Sequence, residues 1–406
     1  MKKEKHVLVL TYWSFADALI QTYTLPYLKI ILQVLPKKSA IFLVTLEKAG
    51  HSKIQKATLD ELNKEGIHLI SVDYKPFGIL GFWMWVKLGA RLIVKVMREK
   101  ISIIHCWGTP AGAIGVLLSL LLKRKLIIDS YEPHAEAMVE NGTWKKNGLP
   151  FRILFFLEKL QSKKAAHVIC AAHGMDNYAK KKYDVNLKNV FVKPACVNLE
   201  LFSDTDIKDK QLLKELNLHN KIVALYAGKF GGIYLDKEVF QFLKLAHLHW
   251  GDKLRVLLLT NQNNREIERW CTETGLPTDI VIIRFVRHEK IPKYMGLANF
   301  AITPVKPVPT KRYCTPIKDG EYWAMGLPVV IPNNISEDSQ VIENHDAGAV
   351  LYQLNDEAYR EAIKKIDNIL QEDNIIRYNR IRGLAVKYRN FSIAEDVYSK
   401  VYRTLN

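Results

Sequence analysis

Short apolar runs return along the whole chain, and the segments between them repeat apolar positions at helical spacing. In the first half the runs fall near residues 6 to 11, 40 to 46, 68 to 73, 101 to 105, 125 to 129, 167 to 171 and 189 to 193. In the second half they fall near 222 to 227, 254 to 260, 280 to 285, 298 to 303, 328 to 332 and 348 to 352. Each is of strand length, and the chain between neighbours suffices for a crossover helix, so both halves read as α/β with doubly wound parallel sheets of the Rossmann-like kind. The alternation pauses near Pro194 to Lys208, where Ser203-Asp204-Thr205-Asp206 supplies turn chemistry. The spacing therefore predicts domains over 1–200 and 201–386. Ligands of such sheets bind outside the carboxyl ends of the strands, which points to a cleft between the two domains.

A chain of 406 residues is long enough for two cores of this size. With 48% hydrophobic and 25% charged residues it has the composition of a soluble globular protein. The net charge of +17 calls for an anionic partner, whether nucleic acid, a phospholipid surface or phosphorylated small molecules. No nucleic-acid reading module and no interleaved basic and aromatic stripe accompanies that charge, so no nucleic acid is expected. The five cysteines, Cys106, Cys170, Cys196, Cys271 and Cys314, have neither paired nor metal-ligand spacing, which predicts a reduced, cytoplasmic setting. Met1-Lys2-Lys3-Glu4-Lys5 leads straight into a strand without a cleavage pattern, so no signal peptide is expected. The longest apolar run, Ala111 to Leu122, falls short of the roughly 20 residues that cross a bilayer. Phe77 to Lys100 holds Phe82, Trp83, Met84 and Trp85, followed by Lys87, Arg91, Lys95 and Arg98 about a turn apart. Such a face suits peripheral contact with an anionic membrane, where lipid-linked acceptors reside, while the same helix would also serve as an ordinary crossover packed on the sheet.

The densest chemistry lies between Tyr313 and Val330. Thr315 or Pro316 opens a helix, Gly326 ends it, and an apolar strand from Pro328 to Ile331 follows. Lys318 and Glu321, three apart, share one face. The N–H groups at a helix start over Thr315 to Ile317, with the Lys318 ammonium, suit a diphosphate, and Glu321 one turn on can accept two ribose hydroxyls. Alone, the same residues would also make a solvated ion pair on an amphipathic helix. A second phosphate candidate is Gly228-Lys229-Phe230-Gly231-Gly232, which follows a strand and lets backbone approach an anion. In the first half, Asp129-Ser130-Tyr131-Glu132-Pro133-His134 also follows a strand, and His134 is placed to hydrogen-bond a sugar hydroxyl. His105-Cys106-Trp107-Gly108 reads as packing.

The pattern Pro-x-Lys-x-x-Glu-Tyr-x-Ala-x-Gly-x-Pro-Val-Val over Pro316 to Val330 closely resembles the donor-nucleotide motif of GT-B glycosyltransferases, in particular retaining family 4. Glu321 matches the family's ribose-binding glutamate, while Tyr313 stands where a second glutamate usually lies near the donor sugar. Lys229 matches an arginine that contacts the donor phosphates, keeping the charge without the guanidinium fork. The family's later phosphate lysine has no match in register, although Lys237 is nearby. His134 matches a histidine that lies against the donor sugar. Val286-Arg287-His288-Glu289-Lys290 resembles the base-binding loop, and the tail over 387–406 resembles the helix that crosses back to the N-terminal domain. From about residue 100 onward the likeness is broad.

That resemblance implies a hexosyltransferase-type glycosyltransferase that retains configuration, needs no metal and has no cofactor. Its donor would be a nucleotide sugar, UDP-sugar favoured over GDP-sugar, and its acceptor a glycan or lipid-linked molecule of bacterial-type surface polysaccharide synthesis. The expected location is cytoplasmic, peripheral on the inner face of the membrane. Donor-binding residues carried over are Gly228, Lys229, Gly231, Val286, Tyr313, Thr315, Pro316, Ile317, Lys318 and Glu321, with His134, Lys318 and Glu321 as the catalytic set. Two other readings use the same layout: a non-catalytic nucleotide-sugar-binding protein and a GT-B sugar-nucleotide epimerase.

Overall fold

The structure is a computed structural model that describes residues 4–48, 54–75 and 79–405. Met1 to Lys3, at the expected leaderless start, lie outside the described residues, as do Phe77 and the side chain of Phe82 in the aromatic stretch. Two compact units emerge, one of residues up to Pro194 together with Ser392 onward, the other Ala195–Phe391.

All thirteen expected strands form, within two residues of the expected ends. The first unit holds β1 (Val7–Leu10), β2 (Ile41–Glu47), β3 (Ile67–Asp73), β4 (Ile103–Trp107), β5 (Lys125–Tyr131), β6 (His167–Cys170) and β7 (Val190–Val192). They form one sheet in the order β3-β2-β1-β4-β5-β6-β7, paired in parallel throughout. The second unit holds β8 (Ile222–Ala227), β9 (Leu254–Leu259), β10 (Val281–Arg284), β11 (Phe300–Ile302), β12 (Val329–Pro332) and β13 (Gly348–Leu351). Their order is β10-β9-β8-β11-β12-β13, again all parallel. Parallel strands are covered by helices on both faces, which is why β1, β4, β6 and β12 are buried at every position and read as unbroken apolar runs. In both sheets the order reverses once, between β1 and β4 and between β8 and β11. At such a reversal the two loops leave the sheet in opposite directions and open a crevice at the strand ends.

Around β4 and β5 the first unit buries charge as well as hydrocarbon. Asp129, fully buried, accepts from the Tyr398 hydroxyl at 2.7 Å, with His105 Nε2 at 3.2 Å and Lys193 Nζ at 3.4 Å. Burial works against its charge, yet Lys193 and His105 hold the carboxyl below the ordinary aspartate range. The Lys193 ammonium also sits 3.9 Å from the Tyr27 ring centroid, a cation–π contact in a dry site. From Ser392 onward the C-terminal helix Phe391–Thr404 belongs to this unit and contributes Tyr398, and its Tyr402 hydroxyl lies 2.8 Å from His105 Nδ1. Packing is not the whole role of this tail. Its two tyrosines satisfy a buried acid and imidazole that would otherwise be costly to bury.

The helix Ile79–Arg98 has two apolar faces. Leu88, Leu92 and Val96 are buried, whereas Trp83, Val94 and Met97 are 54%, 64% and 63% exposed. The expected basic stripe is thinner than its spacing suggests, because Lys95 pairs with Glu99 at 3.1 Å and lies over the Phe42 ring, and Trp85 is half-buried.

In the second unit alternate residues of β8 face opposite layers. Val223, Leu225 and Ala227 join one core, and Ala224 and Tyr226 join the other. The β8 and β11 ends, at Ala227 and Ile302, therefore lead into the crevice from a rigid base.

Candidate functional site

After β8 the chain turns through Gly228, Lys229, Phe230, Gly231 and Gly232. Gly228 is required by crowding: a Cβ there would come within 2.6 Å of the Tyr226 hydroxyl, which donates to the Lys229 carbonyl at 2.5 Å. Gly231 and Gly232 take φ values of +76° and +62°, open to glycine at little cost. Lys229 is exposed and has no ion-pair partner among the described residues.

This glycine loop is joined to the loop after β11. Tyr234 and Val305 form an antiparallel bridge, the Lys306 N–H donates to the Ile233 carbonyl at 3.0 Å, and Leu235 N–H donates to Pro304 at 2.7 Å. The β11 loop then makes a 3-10 turn over Pro309–Tyr313 and enters the helix Ile317–Ala324. Pro316 occupies the N-cap and supplies no side-chain hydrogen bond to the first turn. Thr315 is buried, and Tyr313, Pro316 and Ile317 are half-buried. Gly326, at φ +67°, ends the helix where a Cβ would overlap the Tyr378 ring. Tyr322, fully buried, accepts the Ala227 N–H at 3.0 Å, so the helix is also tied to the start of the glycine loop.

Glu321 is only 4% exposed. Its carboxylate lies between Lys318 Nζ at 3.5 Å and His288 Nε2 at 3.7 Å, and both of these side chains are about a third exposed. Burial pushes the carboxyl up, but Lys318 and then His288 outweigh it and hold the group below the ordinary glutamate range. It is thus a buried acid that stays ionised, and its partners are groups that reach solvent. His288 comes from a 3-10 turn after β10, where its ring packs edge-on against Phe202. Val286, two residues earlier, is half-buried against the core, while Phe285 is 76% exposed and offers an aromatic face at the strand end.

Beneath the helix lies a second acid system. Asp319 is fully buried, accepts from the Thr303 hydroxyl, and is hydrogen-bonded to Asp338. Asp338 in turn accepts from Arg389, whose guanidinium lies 5.2 Å from the Trp323 ring centroid. As two carboxylates, Asp319 and Asp338 would each leave one buried oxygen without a donor, and one shared proton satisfies both. Burial, and then the charge of Asp338, raises the Asp319 carboxyl well above the ordinary range, so the proton resides there. The helix that carries Lys318 and Glu321 is clamped by this pair on its inner side.

His134, in the first unit, opens the helix His134–Glu140 and is about a third exposed, with Nδ1 3.8 Å from Glu132. The next amide, Ala135 N–H, donates at 3.0 Å to Glu158, a fully buried glutamate that also accepts from Thr109 and Tyr183. Burial pushes Glu158 up to about 7 against those three donors. The His105 to Trp107 segment is fully buried and belongs to the core. Lys237 pairs with Glu273 at 3.3 Å.

The structure thus gathers Gly228, Lys229, Gly231, Thr315 to Lys318 and Glu321 onto two loops joined to each other at the switch point of the second sheet. Sequence reading missed His288 as a partner of Glu321, and it missed the Asp319–Asp338–Arg389 clamp. The sequence had placed His288 only within the stretch Val286 to Lys290 that resembles the base-binding loop, with no sign that it would meet Glu321.

No protein-family model and no curated protein matches the sequence. Solved structures do. Sucrose-phosphate synthase from Thermosynechococcus elongatus superposes with a TM-score of 0.73 at 16% identity, over 99% of each chain. HepE from Anabaena in complex with UDP-glucose gives 0.70 at 14%, over 98% of this chain and 99% of its own. WaaG, a glycosyltransferase involved in lipopolysaccharide biosynthesis, gives 0.71 at 12%, over 98% and 99%. The chain has the GT-B fold, which it shares with these structures.

The acid clamp has a measurable signature. A carboxyl whose folded pKa exceeds its unfolded value holds its proton more tightly when folded. Its stabilisation is full below about pH 4 and is lost as pH rises through the folded value. Asp319→Asn, which keeps a donor toward Asp338, is expected to flatten that pH dependence with little loss of stability. Asp319→Ala should cost about 1–3 kcal/mol. Chemical denaturation followed across pH 4 to 9 by fluorescence of the buried Trp323 checks both.

Proposed function

We propose that the protein is a glycosyltransferase that moves a sugar from a nucleotide diphosphate sugar to a glycan or lipid-linked acceptor. The reading is carried by one observation: an ionised, buried Glu321 beside Lys318 at a helix start, on the loops that flank the switch point. On donor binding the ribose hydroxyls take the Glu321 carboxylate. Lys318 is then released toward the diphosphate, joining Lys229 and the first-turn amides of Ile317–Ala324. The base lies along the loop of Phe285 and Val286.

In the reaction the bond from the sugar's anomeric carbon to the β-phosphate oxygen breaks, and the acceptor oxygen bonds to that carbon. The acceptor's proton passes to the departing phosphate. Negative charge grows on the diphosphate as the bond breaks, and Lys318, Lys229 and the helix amides meet it without reorganising. His134 hydrogen-bonds a hydroxyl of the donor sugar. Attack on the face from which the diphosphate leaves gives retention without a covalent enzyme intermediate, and the cations at the site let the reaction proceed without a metal. A UDP-sugar is the favoured donor, in keeping with the UDP-glucose complex of HepE, and surface polysaccharide synthesis is the favoured setting.

Transfer of radiolabel from UDP-glucose, UDP-N-acetylglucosamine or GDP-mannose into a lipid or glycan fraction tests the activity. Glu321→Ala should lower kcat/KM by roughly a hundredfold or more, and Lys318→Ala by roughly tenfold or more. Near-wild-type turnover in both would remove the assignment. Label that stays in the nucleotide pool as a changed sugar would indicate an epimerase, and binding without movement of label a non-catalytic protein.

Among the described residues no helix is long and apolar enough to cross a membrane. Trp83, Val86, Val94 and Met97 nonetheless leave an apolar strip exposed beside Lys87 and Arg91, suited to the surface of an anionic bilayer on the cytoplasmic side. Trp83→Glu with Val94→Glu should abolish cosedimentation with phosphatidylglycerol vesicles, and undiminished binding would exclude this surface.

A further inference from the structure

Three helices cover one face of the first sheet. The connections β3 to β4, β4 to β5 and β5 to β6 all step the same way along the strand order, which puts Ile79–Arg98, Gly108–Leu122 and Leu149–Lys164 on one side. The middle helix touches both of the others, and it lies so close to Leu149–Lys164 that a Cβ on Gly112 would overlap the Gln161 side chain.

A surface helix ordinarily turns apolar residues inward and polar residues to water. Leu149–Lys164 departs from this: besides Leu154 it buries Glu158, Gln161 and Ser162, and it exposes Leu149, Ile153 and Phe156 at one-turn spacing. The polar side is already occupied, since Glu158 accepts from Thr109, Ala135 and Tyr183 and the Gln161 amide donates to the Thr109 carbonyl at 3.0 Å. Gly108–Leu122 carries no charge on any side and is apolar all round, with Ala111, Val116 and Leu118 buried and Leu117, Leu120 and Leu121 exposed. Leu121, Leu149 and Phe156 are 65%, 64% and 63% exposed. Single exposed leucines are ordinary, but apolar stripes on neighbouring helices make one patch that calls for a partner.

The charges on these helices select that partner. Glu158 is their one carboxylate, and it is fully buried. Lys87, Arg91, Arg152 and Lys163 are exposed. A second copy of this chain docked through the same face would bring cations against cations with no acid to meet them, whereas anionic lipid headgroups would meet them directly.

We propose that Gly108–Leu122 and Leu149–Lys164 dock their outer faces on an anionic phospholipid bilayer. This rests on the bilayer contact proposed above for Ile79–Arg98 and enlarges it from one helix to the whole layer, so that the first sheet lies along the membrane plane. The leucines, Ile153 and Phe156 enter the boundary between headgroups and acyl chains, and the cations stay at the level of the lipid phosphates.

Cosedimentation of the full chain with vesicles of equimolar phosphatidylglycerol and phosphatidylcholine tests the proposal. Leu121→Glu with Phe156→Glu should lower the partition coefficient roughly tenfold or more, while Ile375→Glu with Ile376→Glu, at exposed positions of the second unit, should leave it unchanged. Wild type should bind vesicles of phosphatidylcholine alone roughly tenfold or more weakly. Leu121→Ser with Phe156→Ser is a second, uncharged variant should the first fold poorly. Undiminished binding by a folded variant at Leu121 and Phe156 overturns the proposal; if Trp83→Glu with Val94→Glu then loses binding, the contact at Ile79–Arg98 stands by itself. An equal loss in the Ile375 and Ile376 variant, or equal binding of wild type to both kinds of vesicle, also overturns it. So does a dimer, formed without vesicles, that the Leu121 and Phe156 substitutions dissociate, which would assign the face to a second copy. A wild type that binds neither kind of vesicle removes the bilayer contact from all three helices.

Discussion

A carboxylate kept ionised where water hardly reaches it is the constraint on which the second unit is built. Glu321 would protonate in that position without compensation, because burial disfavours its charge. Lys318 and His288 supply the compensation, and both reach solvent. Distances of 3.5 and 3.7 Å are long for charge-assisted hydrogen bonds, which are commonly about 2.7–2.9 Å, so the acid is guarded rather than saturated. A diol can take over such a carboxylate at small cost, since the displaced Lys318 and His288 side chains can turn to phosphate or to water.

Keeping that acid in place requires a helix that does not shift, and three fastenings provide it. The inner side of Ile317–Ala324 is held by Asp319, Asp338 and Arg389, its middle by Tyr322 on Ala227, and its end by Gly326 against Tyr378. The first and third share the helix Asn374–Arg389 and the second reaches β8, so a movement of Ile317–Ala324 would strand Asp319, Asp338, Arg389 and the Ala227 N–H together. The proton shared by the aspartates makes the clamp neutral overall on the helix side, leaving Glu321 as the local negative charge.

The fold was legible because parallel strands covered on both faces leave apolar runs that no turn or loop imitates. The helix start at Pro316 and the Lys318–Glu321 pair were legible because their spacing is local, three residues on one face. What escaped notice was long-range. His288 meets Glu321 from another loop, and Asp338 meets Asp319 from beyond β12. Similarly, nothing local to Tyr398 and Tyr402 announces that they meet the buried Asp129 and His105. The Ile79–Arg98 helix shows the opposite error: periodicity overcounted its basic face, because Lys95 is spent on Glu99 and Phe42.

The assignment of Glu321 to a ribose is tested most directly by comparing UDP with its 2′,3′-dideoxy analogue in calorimetric titrations of wild type and Glu321→Ala, with the guanosine pair in parallel. Wild type should bind the dideoxy compound at least about tenfold more weakly, and the variant should bind both alike. Equal affinity of wild type for the two compounds would contradict the account.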